Sequence, residues 1–193
     1  MVWLVAIAAV IGAIVLLVLQ QKGVLPQGKT SPQLPALERN IFNLEIGDIV
    51  QYLDTDWVVE GKLTYDDNGY IWLEYLLQTD DRLAWLSVDE DDRVEVALLE
   101  PNNQIDISGT PPKQLTYADE IYSLVGSGKA TMTRTGTTLN RTASKCTYYD
   151  YRANNKVLSI EVWDEDVEVT TGEKINPRML TLLPGDGQRV YGS

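Results

Sequence analysis

Histidine is absent from the chain, and cysteine occurs once, as Cys146. Without an imidazole, no side chain titrates unperturbed near neutral pH, and neither a Cys/His zinc set nor a His-based acid/base pair can be assembled. A lone thiol cannot close an intramolecular disulfide, and it fits a reducing compartment. Phenylalanine is nearly missing too, with one residue against five tryptophans and ten tyrosines, so the large core side chains must be Trp and Tyr. Positive charge is short: 16 Lys and Arg against 28 Asp and Glu leave a net charge of −12 over 193 residues. Such a chain repels phosphate backbones, which argues against nucleic acid as a partner. Its chemistry rests on carboxylates, lysines, tyrosines and hydroxyls, and no cofactor is expected.

One long apolar run is present. Val2 to Leu19 carries no charge over eighteen residues, enough to cross a bilayer core of about 30 Å. No Lys or Arg precedes it and no small-residue cleavage pattern follows, so residues 1–21 read as an uncut single-pass anchor rather than a secretory signal. Lys22 and Lys29 flank its C-terminal side, which places the following domain on the cytoplasmic face of the membrane. Residues 22–40, rich in Pro and Gly, read as an extended linker with a reach on the order of 50 Å.

Beyond the linker the apolar pattern takes the strand period of two. In Trp57 to Tyr65 one face holds Trp57, Val59, Leu63 and Tyr65, and Glu60, Lys62 and Thr64 give the other a wet character. Tyr70 to Leu77 is apolar on both faces except at Glu74, as expected of a strand covered on both sides. Asn68-Gly69 between them supplies the positive φ angles of a tight hairpin, and Asn154-Asn155 reads as another such turn. With Asp48 to Leu53, Arg82 to Val88 and Arg93 to Leu99 these runs predict a five-strand meander. Strand patterns resume at Gln114, Lys129, Lys145, Lys156 and Val167, and Tyr117 to Leu124 could form a short helix. The expected fold is all-β, an antiparallel sandwich or partly closed barrel over residues 41–175, with 176–193 as a C-terminal tail.

Charge is unevenly divided. Glu38 to Glu100 holds seventeen acidic and four basic residues, whereas Gly126 to Lys156 holds six basic ones, Lys129, Arg134, Arg141, Lys145, Arg152 and Lys156, against Asp150 alone. These six are candidates for contact with a partner, an anionic lipid surface or acidic protein; alternatively they compensate acidic strands within the fold. Glu74 and Glu161 each interrupt an apolar strand, in W-L-E-Y-L and S-I-E-V-W. A carboxylate buried there must be paired, hydrogen-bonded or protonated; the alternatives are a ligand-facing pair, or residues that reach solvent or a basic neighbour such as Arg82 or Arg152. The acidic runs Asp89 to Asp92 and Asp164 to Asp166 lack the spacing of a calcium loop and read as solvated turns. Gly126-Ser127-Gly128-Lys129 lacks the spacing of a phosphate loop.

G-D-I-V at Gly47, W-V-V-E-G at Trp57, Y-I-W-L-E-Y-L-L at Tyr70, A-W-L-S-V at Ala84, L-S-I-E-V-W at Leu158 and G-E-K-I at Gly172 together resemble the bacterial domain-of-unknown-function family 4178. The resemblance runs from Leu44 to Ile175. Combined with the apolar N-terminus and acidic composition, it is similar to cyanobacterial members, which implies a thylakoid or plasma membrane setting and carries no active site. The leading expectation is a membrane-tethered, non-enzymatic interaction module that supports assembly or maintenance of membrane protein complexes. A barrel binding a small apolar or lipid-derived ligand is the alternative, favoured if Glu74 or Glu161 faces an aromatic-lined cavity. A carboxylate enzyme is a third, requiring Glu74 and Glu161 to converge within about 5 to 10 Å.

Overall fold

The computed structural model describes residues 38–139, 144–164 and 166–187. The apolar run and nearly all of the linker lie outside them, as does Arg141. Among the described residues no helix is long and apolar enough to cross a membrane.

Among the described residues eleven strands follow one another: β1 (Ile49–Tyr52), β2 (Thr55–Asp67), β3 (Tyr70–Gln78), β4 (Leu83–Glu90), β5 (Val94–Pro101), β6 (Gln114–Tyr117), β7 (Glu120–Gly136), β8 (Lys145–Ala153), β9 (Lys156–Trp163), β10 (Asp166–Ile175) and β11 (Thr181–Leu183). The first five form the expected meander. Strand β5 then pairs with β10, and β10 with β9, β9 with β8 and β8 with β7. The ring closes where β7 pairs antiparallel with β2, Gly61 opposite Gly136 and Asp66 opposite Thr131. The result is an eight-stranded antiparallel barrel, β2-β3-β4-β5-β10-β9-β8-β7, with β1, β11 and β6 as extra strands. Closure removes the unpaired edges that either side of a sandwich would expose.

Closure depends on one irregularity in β2. Its first residues pair with β1 and its last with β7, and a bulge at Glu60 separates the two stretches. The inserted residue shifts the alternation by one position. Trp57 and Val59 therefore pack outside the barrel with Leu44, Val50, Tyr75 and Leu77, while Leu63 and Tyr65 turn into the lumen with Leu76, Trp85, Leu99 and Trp163. The single apolar face expected for Trp57 to Tyr65 is thus two faces, and Glu60, expected on a wet one, is 1 % exposed. Strand β3 is covered on both sides as its pattern implies, with Glu74, Tyr75, Leu76 and Leu77 all buried. Each fully buried leucine of these clusters contributes about 1.5–3 kcal/mol of transfer free energy.

The turns follow local chemistry. Asn68 (φ 55°) and Gly69 (φ 97°) join β2 to β3, and Asn154 (φ 56°) starts the β8–β9 turn. Tyr117 to Leu124 is not helical. Ala118 and Asp119, at φ 49° and 62°, form a two-residue reversal of the kind that matches strand twist, and β7 starts at Glu120. Pairing continues past residue 175, where β11 lies against β1. Asp48 ties this end to the start of the domain: it pairs with Arg39 at 2.7 Å and accepts the backbone N–H groups of Glu45 and Gly185, both at 2.8 Å.

Candidate functional site

In an eight-membered ring, strands four steps apart lie on opposite walls. Strands β3 and β9 stand in that relation, and so do β4 and β8. Inward residues of β3 and β9 include Glu74 and Glu161, each 7 % exposed, so the two expected buried carboxylates face each other across the lumen. Both reach Tyr65: its hydroxyl lies 3.1 Å from an oxygen of Glu74 and 3.1 Å from one of Glu161. The indole N–H of Trp163 donates to the same Glu161 oxygen at 3.1 Å. The two carboxylate oxygens are therefore separated by at most twice 3.1 Å, with the phenol between them.

This polar layer is the floor of a cavity of about 100 Å³ at one end of the barrel. Its walls are aromatic on one side. Trp72 stacks on Tyr65 with ring centres 4.6 Å apart and meets Tyr148 edge-on at 5.1 Å, and Tyr70 tilts against it at 6.0 Å. Around the mouth lie Asp89, Glu95, Asp150, Arg152, Ser159 and Lys174. Asp89 on β4 and Asp150 on β8 occupy opposite walls.

The mouth is held by hydrogen bonds and ion pairs. Asp89 and Glu95 are direct cross-strand neighbours, a like-charge pair that three cations offset: Lys174 reaches Glu95 at 2.5 Å, Arg93 at 2.9 Å and Arg152 at 3.1 Å. The Lys174 hydrogen bond, against the cost of burial and with further help from Arg152 and Arg93, holds the Glu95 carboxyl below its usual range. Asp89 accepts the hydroxyl of Tyr70. Tyr148 donates to Asp67 at 2.9 Å, and burial together with that bond pushes its phenol up to about 12. Asp150 accepts from Ser159 at 3.0 Å. Burial drives its carboxyl upward, Ser159 and Arg152 oppose the change, and Asp89 adds to it.

The basic residues of Gly126 to Lys156 do not make one surface. Arg152 turns into the mouth, and Lys156 pairs with Glu120 at 2.9 Å, so for these two the compensation within the fold is what the structure has. Arg134 is half-buried in the β7 segment that pairs with β2. Lys129 and Lys145 are exposed and diagonal to each other on the β7–β8 wall, and Arg141 lies outside the described residues. Gly126 to Lys129 is mid-strand. Among the described residues no three Asp, Glu or Cys side chains are grouped to hold a metal. Cys146 is buried in the lumen wall.

Asp89, Glu95, Asp150 and Lys174 carry most of the mouth, and the sequence offered only one sign of them. Asp89 and Glu95 sit symmetrically about the β4–β5 turn, so a tight hairpin has to set two carboxylates side by side.

The family model for the domain of unknown function DUF4178 matches residues 45–177. An uncharacterized protein of Mycobacterium tuberculosis is 31% identical over 147 residues, covering 72% of this chain and 70% of its own. An uncharacterized protein of Aquifex aeolicus is 24% identical over 158 residues, covering 77% of this chain and 87% of its own. These two sources are not cyanobacterial, and the thylakoid setting remains an expectation from resemblance. No solved structure matches the chain. With the matched residues spanning the whole barrel, the chain belongs to the DUF4178 family.

Proposed function

We propose that the domain is a non-enzymatic receptacle for a small polar molecule, bound in the mouth of the barrel. The observation that carries this reading is a closed barrel whose lumen is packed at one end and holds an aromatic-walled cavity with convergent charged groups at the other. The sequence leads one to expect a small apolar or lipid-derived ligand for such a barrel; the charged mouth favours a polar one. Glu74 and Glu161 come as close as a carboxylate enzyme requires, but the Tyr65 hydroxyl occupies the space between them where a scissile bond or attacking water would sit. Their arrangement suits a structural floor better than a reaction centre.

The test is ligand-observed NMR of the full-length protein with a library of small molecules of varied charge, repeated on Ser87→Phe, which fills the cavity from β4. At least one compound should bind the parent and be lost in the variant, with circular dichroism unchanged. If every binder is indifferent to Ser87→Phe, the receptacle reading fails.

A second reading, a membrane-tethered module that supports assembly or maintenance of membrane protein complexes, draws on a different surface. Ile121 and Val125 on β7 are 61% and 59% exposed, on the same strand as the exposed Lys129. Affinity purification of the tagged chain from gently solubilised membranes, with and without residues 1–19, should recover a defined complex only with the anchor present; recovery of none in either case removes this reading.

A further inference from the structure

Resting on the receptacle reading, we infer that the ligand is a small organic cation, an ammonium group on a short carbon stem, bound between Asp89 and Asp150.

The charge balance of the mouth comes first. Its two cations, Arg152 and Lys174, both contact Glu95, so an incoming anion would have to break those pairs and approach Asp89 and Asp150 as well. An incoming cation meets the opposite situation. Asp89 and Asp150 come from opposite walls and each is contacted by a hydroxyl, Tyr70 on one side and Ser159 on the other, with Arg152, itself paired to Glu95, also acting on Asp150. A hydroxyl stabilises a carboxylate without neutralising it. Two like charges facing one another across a cavity repel, and a positive group placed between them relieves the repulsion at both.

The walls and the size narrow the class. Trp72 with Tyr70 and Tyr148 gives the mouth the aromatic surface that attracts ammonium groups through the ring quadrupole. A cavity of about 100 Å³ is smaller than the cavity of about 150 Å³ that takes one benzene ring, so it suits roughly four to six non-hydrogen atoms. A bare metal ion fits less well, because among the described residues no three suitable side chains are grouped to ligate one, whereas an ammonium needs only two or three acceptors and an apolar wall.

The experiment uses three probes of similar size and different charge: propylammonium, propionamide and propionate. Each is titrated into ¹⁵N-labelled full-length protein in micelles while the Trp72 indole N–H is followed, and then into Asp150→Asn. That variant keeps one oxygen acceptor for Ser159 while removing the charge and turning the other oxygen into a donor. Propylammonium should bind at least tenfold more tightly than propionamide in the parent, and Asp150→Asn should erase most of that difference while leaving propionamide unchanged. Binding of propionamide or propionate as tight as that of propylammonium, or a preference for propylammonium that survives Asp150→Asn, overturns the inference and leaves the receptacle standing. If none of the three binds while the library yields a compound sensitive to Ser87→Phe, the cation inference alone is overturned. If the library is also empty, both readings fall.

Discussion

The hydroxyl of Tyr65 on β2 lies 3.1 Å from the carboxylate of Glu161 on β9, 96 positions further along the chain. Because the same hydroxyl also lies 3.1 Å from Glu74, one phenol links strands from three parts of the ring. Its loss removes one hydrogen-bond partner shared by two buried carboxylates. Tyr65→Phe should therefore cost about 1–3 kcal/mol in urea unfolding, the range for a buried polar group deprived of its partner. Tyr75 is the internal control. It is also fully buried, yet its hydroxyl meets the backbone of Leu44 and bridges no carboxylates, so Tyr75→Phe should cost less than Tyr65→Phe. Equal losses in the two variants would show that the bridge to Glu74 and Glu161 contributes nothing.

Asp150 predicts a trade between stability and binding. Its carboxyl is raised in the folded state, mainly by burial, so the folded chain holds that proton more tightly than the unfolded chain does. The ionised group therefore costs stability in full above its folded pKa, and the cost fades as pH falls toward the unfolded value of 3.8. Asp150→Asn removes the cost. It should be more stable than the parent by about 0.5–2 kcal/mol at neutral pH, with the gap closing in acid, and it should be the variant that loses cation preference. Urea denaturation from pH 3 to 8 reads the pH dependence directly; a gap that widens as pH falls contradicts it.

Glu95 should behave in the opposite way. Held low chiefly by Lys174, it contributes stability that is fully present above the unfolded value of 4.5 and is lost as pH falls through its lower folded value. Glu95→Gln should destabilise by about 1.5–3 kcal/mol at neutral pH, as for hydrogen bonds to charged groups. The gap between the two proteins should narrow as pH falls below 4.5. Melting curves at pH 3.5 and 7 distinguish this from a packing defect, which would persist at both.

Much of the fold was legible because it is written in local chemistry. Asn68-Gly69 and Asn154-Asn155 announce their turns, and the doubly apolar Tyr70 to Leu77 announces a wall covered on both sides. The β6–β7 reversal was not legible, because Ala118 gives no hint of a positive φ angle. Nor was closure, since the pairing of β2 with β7 joins segments some seventy residues apart and depends on a bulge that no pattern announces. The candidate site suffered most from this. Glu74 and Glu161 could be singled out one strand at a time as carboxylates in apolar surroundings, but their meeting at Tyr65 needs the ring. Nothing local marks Asp150 or Lys174, and it is the register of β8 with β9 and of β10 with β5 that turns them inward.

The bulge gives the last prediction. At Gly61 the chains of β2 and the end of β7 approach so closely that a Cβ would lie 1.7 Å from the carbonyl oxygen of Thr137, and the Thr137 N–H donates to the Glu60 carbonyl at 2.8 Å. No side-chain rotation relieves a clash with backbone, so Gly61→Ala must push β7 away from β2 at the seam that closes the barrel. Overpacking in a core costs about 1–3 kcal/mol and occasionally more, and the upper end is expected here. Gly69→Ala is the matched comparison. It also replaces a glycine beside the same strand, but nothing lies within 4 Å of its added carbon, so its cost is backbone strain at φ 97° alone and is confined to the turn. Amide exchange separates the two: Gly61→Ala should speed exchange at Lys62, Thr64 and Thr135 across the seam, whereas Gly69→Ala should leave those amides protected. Protection unchanged at the seam in Gly61→Ala would mean that β2 and β7 are not held together at the bulge.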